Sequence, residues 1–151
     1  MIHLRPAVGR ECPALTELCL RSKAHWGYDA AFLAACREEL TLRPAELATT
    51  RLAVAERDGA VVGVVQVGRA GADADLLKLF VAPEAMGAGV GRALFDWAVA
   101  AARDLGAARL LIEADPDAAP FYERLGARRI GTAPSGSIPG RALPFLEQAL
   151  S

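Results

Sequence analysis

The sequence of 151 residues is poor in several features that mark specialised classes of protein. It contains three cysteines, Cys12, Cys19 and Cys36, and no Cys-x-x-Cys pair, so we expect neither a disulfide framework nor a zinc site. The formal net charge is -1, and this lack of a basic excess argues against nucleic acid as a partner. No apolar run approaches the roughly 20 residues of a membrane span, so we expect no membrane partner. The N-terminus lacks the apolar core of a signal peptide, and we therefore expect a cytoplasmic protein.

The composition that is present indicates a globular fold. Hydrophobic residues make up 53% of the chain, and charges of both signs are evenly mixed. A chain of this length buries about 68–70% of the surface that its unfolded form exposes, which is enough for a full core. We expect the cysteines to be small core residues. We also expect one domain over residues 1-151.

Apolar periodicity and turn signals predict an α/β fold. The predicted strands cover residues 2–6, 52–57, 60–67, 75–81, 109–113, 127–132 and 141–148, although the last pattern also fits a helical turn. The predicted helices cover about residues 11–22, 30–40, 90–105 and 120–125, with Asp29 as the N-cap of the second. Asp58-Gly59 predicts a hairpin turn, and residues 68–74 and 133–140 predict loops. The order β-α-α-β-β-β-α-β-α-β-β indicates a mixed sheet with one strand–helix–strand crossover.

The segment from Leu76 to Arg92, LLKLFVAPEAMGAGVGR, is the most informative in the chain. It predicts a strand, a proline stop, a loop with glycines at 87, 89 and 91, and the start of an amphipathic helix. Unhindered N–H groups at the positive end of a helix dipole bind phosphate. The spacing fits neither a G-x-G-x-x-G dinucleotide motif nor a P-loop. The segment therefore predicts a phosphate site for a nucleotide-tailed cofactor, against the alternative of a flexible turn without a ligand.

Two blocks of sequence together resemble the GNAT acyl-CoA N-acyltransferase superfamily. Met86–Gly91 resembles its Q/R-x-x-G-x-G/A loop, after a strand and proline turn at residues 79–84. EADPDAAPFYERLG, residues 113–126, resembles its second hallmark, a strand and a short helix with an aromatic–Tyr pair before Leu-Gly. Met86 stands where the family usually has Gln or Arg, and Asp115 where many members have Asn. The resemblance implies a GNAT-like mixed central sheet flanked by helices, in which two neighbouring strands splay apart as a cofactor wedge.

The resemblance also implies an acetyl-CoA-dependent N-acetyltransferase that needs no metal. The backbone of Phe80 and Val81 would pair with the pantetheine arm, and the amides of residues 86 to 92 would hold the diphosphate. For Arg92, an exposed helix position is an equal alternative. The residues that would contact the cofactor are Phe80, Val81, Met86, Gly87, Ala88, Gly89, Val90, Gly91, Arg92, Asp115 and Phe121.

Catalytic roles follow from the same resemblance. Tyr122 would be the general acid toward the departing sulfur, with core packing beside Phe121 as the alternative. A backbone N–H near Val81 would stabilise the oxyanion. An amine is mostly protonated at neutral pH, so some group must accept a proton. The candidates are Asp75, Glu113, Asp115 and His25, of which Glu113 is preferred because it ends the strand that faces the wedge, against a solvated surface carboxylate as the alternative role.

In this family, the connection between the first two helices and the last strand pair usually cover the acceptor. We therefore predict substrate contacts by His25, Trp26, Tyr28, Ser135 and Arg141, with Arg141 binding an anionic group. A hydrophobic staple is the alternative for Trp26, and an ordinary loop for residues 135–141. The expected acceptor is a small zwitterionic or carboxylated primary amine. A protein amine, a CoA-binding module without transfer activity, a scaffold protein and a homodimer all stay open.

Overall fold

A computed structural model describes residues 1–150. Its strands are β1 (Ile2–Pro6), β2 (Arg51–Arg57), β3 (Ala60–Ala70), β4 (Asp73–Val81), β5 (Arg109–Glu113), β6 (Arg128–Pro134) and β7 (Ala142–Ala149). Its α-helices are α1 (Cys12–Ala24), α2 (Ala30–Leu40), α3 (Glu46–Thr49), α4 (Val90–Asp104) and α5 (Ala119–Arg124). The strands form one sheet in the order β1-β2-β3-β4-β5-β7-β6. The mixed α/β fold predicted from the sequence is confirmed.

Local signals in the sequence placed most of the element boundaries. The Asp29 side chain accepts a hydrogen bond from the Phe32 N–H at 2.9 Å and caps α2, as predicted. Asp58 and Gly59 both have positive φ angles and form the predicted turn between β2 and β3. The helix α3 was not predicted, because four residues are too few to show a periodic pattern.

The loop predicted over residues 68–74 is wrong. Strand β3 continues to Ala70 and β4 begins at Asp73, with Arg69 paired to Ala74. Only a two-residue turn separates the strands, and Gly71 in that turn has a φ of 61°. Small and glycine-rich residues weaken the strand signal, but the ladder hydrogen bonds of a hairpin involve the backbone and do not need large side chains.

Hydrophobic cores lie on the two faces of the sheet. Helix α4 covers one face, where Leu94 packs with Val65 and Leu110. Helices α1 and α2 cover the other face, where all three cysteines are buried as free thiols. On α4, Val90, Leu94, Phe95 and Ala98 are buried, and Trp97 is partly buried against the same core. Within residues 1–150, no helix has both the length and the apolar character that a membrane crossing requires.

Strands β4 and β5 run parallel but separate after a short paired stretch. They pair over only three positions, Ala74–Leu76 with Leu110–Ile112. Strand β4 continues along β3 to Val81, whereas β5 stays paired with β7 over its whole length. The two neighbouring strands therefore splay apart, as expected, and leave a wedge between them.

A β-bulge lies on β4 where the wedge begins. Gln66 pairs with Lys78 and Val67 pairs with Leu76, so Leu77 is an extra residue in β4. Residues three apart on a regular strand point to opposite faces, but one extra residue restores the same face. The bulge therefore puts Asp75 and Lys78 on the same face of the sheet.

Candidate active site

The wedge between β4 and β5 is a cavity of about 540 Å³. Its walls come from the edge of β4, the end of β5, the glycine loop before α4, and α5. The residues predicted to contact a cofactor that line it are Phe80, Val81, Met86, Gly87, Gly89, Gly91, Arg92, Asp115 and Phe121. Val90 is buried in the core and Ala88 is exposed outside the walls, so any contact by these two would involve their backbone.

The glycine loop adopts a backbone that suits an anion. Gly87 and Gly89 have φ angles of 81° and 84°, and a Cβ at either position would meet nothing within 4 Å, so glycine is needed there for conformation and not for space. The first helical hydrogen bond of α4 runs from the Ala93 N–H to the Gly89 carbonyl at 3.1 Å. The amides that precede it have no intrahelical acceptor. They lie at the positive end of a 15-residue helix, beside the wedge.

Gly91 has a different role from the other two glycines of the loop. A Cβ at this helical position would lie 3.1 Å from Cζ of Phe121. The N-terminus of α4 therefore approaches α5 closely, and this contact holds the glycine loop next to the aromatic pair of α5.

Tyr122 lines the wedge and is itself 6% exposed. Its ring lies 5.1 Å from Phe121 in a T-shaped contact and 5.7 Å from Phe95. Burial raises the pKa of the Tyr122 phenol above its usual value. The phenol therefore stays protonated at neutral pH, as a general acid must, and within residues 1–150 no charged side chain stabilises its ionised form.

A second cavity of about 400 Å³ adjoins the wedge. Glu39, Leu77, Lys78, Glu113 and Leu143 line both spaces. The second cavity is further walled by Gln66, Asp75, Leu111 and Phe145. Carboxylates, one lysine and apolar side chains thus surround a space of small-molecule size.

Asp75 and Glu113 meet in this second cavity. Asp75 is in register with Leu111, so Glu113 is its diagonal neighbour on the adjacent parallel strand. Burial raises the pKa of Glu113, and the negative charges of Asp75 and Glu39 raise it further. Burial also raises the pKa of Asp75, with a smaller contribution from Asp73. Both carboxyl groups therefore hold a proton at higher pH than solvated carboxylates do, which suits a general base.

Three polar residues of this cavity were not predicted from the sequence. The sequence does contain a signal that could have identified Lys78, since a single charge inside the apolar run LLKLF is unusual for a strand covered by helices. Gln66 has the same kind of signal in β3. Glu39 has none, because a glutamate at the end of an amphipathic helix normally lies in solvent.

The residues predicted to bind the acceptor are mostly absent from the cavity walls. Trp26 lines the wedge and is 44% exposed, so it does not act as a buried hydrophobic staple. His25 is exposed beside it. The Ser135 hydroxyl accepts hydrogen bonds from the N–H groups of Ser137 and Ile138 and stabilises its own turn. Acceptor contacts by His25 and Ser135 stay predictions.

Tyr28 and Arg141 join a cluster centred on Asp115. The Tyr28 hydroxyl donates to Asp115 Oδ2 at 2.7 Å, and Arg141 Nη2 donates to the Tyr28 oxygen at 2.8 Å. Lys23 and Arg141 each lie 3.6 Å from Asp115 Oδ2. Burial, followed by the hydrogen bond to Asp115, raises the pKa of Tyr28 to about 12. Arg141 thus has internal partners in place of the free anion site that we expected, and the cluster ties together three segments that are distant in sequence.

A family model for the acetyltransferase (GNAT) domain matches residues 48–126, more than half of the chain. The protein therefore belongs to the GNAT family of acetyltransferases. No relative was found among the curated proteins.

Solved structures with the same fold cover nearly the whole chain. A GCN5-related N-acetyltransferase from Rhodopseudomonas palustris is 23% identical with a TM-score of 0.81, over 98% of this chain and 95% of that one. The PaiA N-acetyltransferase of Thermoplasma acidophilum, solved with coenzyme A, is 17% identical with a TM-score of 0.78, over 99% of both chains. The yncA protein of Salmonella typhimurium, solved with its cofactor acetyl-CoA, is 22% identical with a TM-score of 0.71, over 100% and 95%.

Proposed function

We propose that this protein transfers an acetyl group from acetyl-CoA to the primary amine of a small molecule. The observation that carries this proposal is the pairing of two adjoining cavities. One is the wedge beside the glycine loop, and the other is the space walled by Asp75 and Glu113. A two-substrate transfer needs two such spaces that meet at one point.

The wedge suits coenzyme A in shape and in chemistry. The first amides of α4 and the open backbone around Gly87 and Gly89 would hold the diphosphate. Beyond Leu76, β4 has no partner on the side of β5, and its free edge from Phe80 to Val81 would accept the pantetheine arm as an added strand. The relatives from Thermoplasma acidophilum and Salmonella typhimurium that were solved with coenzyme A or acetyl-CoA support this assignment.

The chemistry divides between the two cavities. Acetyl-CoA supplies a thioester, whose C–S bond breaks as a C–N bond to the acceptor forms. Glu113, with Asp75 beside it, takes the proton that the ammonium group must lose before it can attack. Tyr122 gives its proton to the leaving thiolate. An N–H group near Val81 would stabilise the negative charge that develops on the carbonyl oxygen.

The size of the second cavity favours a small acceptor over a polypeptide. A volume of about 400 Å³ lies within the range of small-molecule sites. The Ser137 hydroxyl donates a hydrogen bond to Glu39, so the loop between β6 and β7 joins the end of α2 at the cavity wall.

Release of free thiol from acetyl-CoA, measured against a panel of amines, polyamines, amino acids, aminoglycosides and peptides, tests the proposal. We expect turnover with some small amines and a large loss in Glu113→Gln. Glu123→Gln is a matched control, since Glu123 is a half-exposed glutamate that pairs with Arg129 and lines neither cavity. Turnover of peptides alone would indicate a protein acceptor. Stabilisation by CoA, about 2.7 kcal/mol at 100 times Kd, without thiol release from any amine would indicate a binding module.

A further inference from the structure

Lys78 is the only buried charged residue within residues 1–150. It lies on β4 opposite Gln66 of β3, and its Nζ donates a hydrogen bond to Gln66 Oε1 at 3.3 Å. Gln66 is fully buried, and its Nε2 donates to the Thr50 hydroxyl at 3.1 Å. A chain of hydrogen bonds thus holds the lysine at the wall that the two cavities share.

The charge of Lys78 is not matched by a protein partner. A lysine ammonium has three donor hydrogens, and Gln66 supplies one neutral acceptor at a long distance. Within residues 1–150, no carboxylate lies close enough to form an ion pair with it. A buried charge without an ion-pair partner is costly, and an anionic ligand in the cavity would supply that partner.

The β-bulge determines what a ligand on Lys78 would reach. Because Leu77 is the extra residue, Lys78 and Asp75 face the same cavity. Three residues of strand span about 10 Å at most, so a short molecule can contact both side chains. Such a molecule would place an anionic group at Lys78 and an amine at Asp75 and Glu113.

We propose that Lys78 binds a carboxylate of the acceptor, so that the acceptor is an amino acid or a similar amine with a carboxylate and an apolar side chain. This inference rests on the proposed function. A singly charged carboxylate fits better than a phosphate ester, because Glu39, Asp75 and Glu113 line the same cavity and would repel a dianion. The apolar part would lie against Leu111, Leu143 and Phe145.

Matched acceptors test the carboxylate directly. Leucine, leucinamide and isoamylamine share one side chain and differ in the group that would contact Lys78. We expect wild-type protein to favour leucine over isoamylamine in kcat/KM, and Lys78→Met to reduce that ratio about tenfold to a hundredfold, as loss of a charge-assisted hydrogen bond implies. Comparing this ratio between wild-type and variant protein cancels the difference in intrinsic reactivity between the two amines. Arg51→Met is the control, because Arg51 pairs with Asp104 and lines neither cavity.

Binding without turnover supplies a second readout that needs no variant. Isocaproate, which has the carboxylate but no amine, should inhibit wild-type turnover competitively against the acceptor, and isocaproamide should not. An unchanged leucine-to-isoamylamine ratio in a folded Lys78→Met protein, or equal inhibition by the acid and the amide, would overturn the inference while leaving the transfer activity established. Absence of thiol release with every amine would instead overturn the proposed function.

Discussion

Removal of one hydroxyl, in Tyr122→Phe, should separate catalysis from stability. The Tyr122 ring is packed between Phe95 and Phe121, and phenylalanine preserves those contacts. A polar group that is buried without a protein partner costs on the order of 1–3 kcal/mol, less where a cavity admits water. Because Tyr122 lines the wedge, we expect the free energy of unfolding to stay the same or to rise by up to about 1 kcal/mol. Loss of a general acid should lower kcat by about 10²- to 10⁴-fold.

Tyr28→Phe is the matched control, because the same chemical change should have the opposite effect on stability. The Tyr28 hydroxyl bonds to both Asp115 and Arg141. Its removal breaks two charge-assisted hydrogen bonds, although Asp115 and Arg141 remain 3.6 Å apart. We expect a loss of about 1–2 kcal/mol in the free energy of unfolding.

Urea denaturation and thermal melting measure the stability of both variants, and 1 kcal/mol corresponds to a shift of about 2–4 °C in Tm for a chain of this size. Thiol release measures kcat, and calorimetry measures the Kd of CoA. Unchanged kcat in Tyr122→Phe would refute the acid role and leave core packing as the function of Tyr122. A clear loss of stability would show that its hydroxyl has a partner that the structure does not reveal.

Three further predictions concern the base, the glycine loop and the packing of α4. In a profile of kcat/KM against pH, the acid limb should lie above the ordinary pKa of glutamate, because burial and the charge of Asp75 raise the pKa of Glu113. In Asp75→Asn this limb should move to lower pH, and an unmoved limb would exclude electrostatic coupling between the two carboxyl groups. Gly89→Ala and Gly59→Ala each place a side chain at positive φ with room for the Cβ, so each should lower the free energy of unfolding by about 1–2 kcal/mol. Calorimetry should detect weaker CoA binding in Gly89→Ala but not in Gly59→Ala. Equal affinities in these two would argue against a diphosphate site at the loop. A Cβ at Gly63 would lie 2.9 Å from the buried Leu94 side chain of α4, so Gly63→Ala should lose about 1–3 kcal/mol in urea denaturation, and an unchanged stability would show that α4 moves away from the sheet.

Features encoded within short segments were accessible from the sequence. The N-cap at Asp29, the hairpin turn at Asp58-Gly59 and the strand from Arg109 to Glu113 each depend on a few consecutive residues, and the structure has all three. The glycine loop before α4 is also encoded in a few consecutive residues, since alternate glycines indicate a backbone conformation that other residues rarely adopt. The loop predicted at residues 68–74 rested on composition alone and was wrong, because the pairing of β3 with β4 extends both strands into this segment.

The roles of Arg141 and Lys78 show where reasoning from the sequence reached its limit. An arginine next to a Ser-Gly loop is typical of an anion site, but the nearness of Tyr28 and Asp115 follows only from how three distant segments meet. The position of Lys78 depends on a β-bulge, and a bulge is defined by the pairing of two strands, so it cannot be read from the sequence of β4 alone.

The sequence by itself determined the order of strands and helices apart from α3, and the loop geometry before α4, because backbone angles and apolar periodicity respond to neighbours within a few residues. Only the tertiary structure decided which carboxylates share a cavity and which cation joins them. That outcome depends on the register between β4 and β5 and on the extra residue at Leu77, and strand register is the result of contacts between residues far apart in the chain.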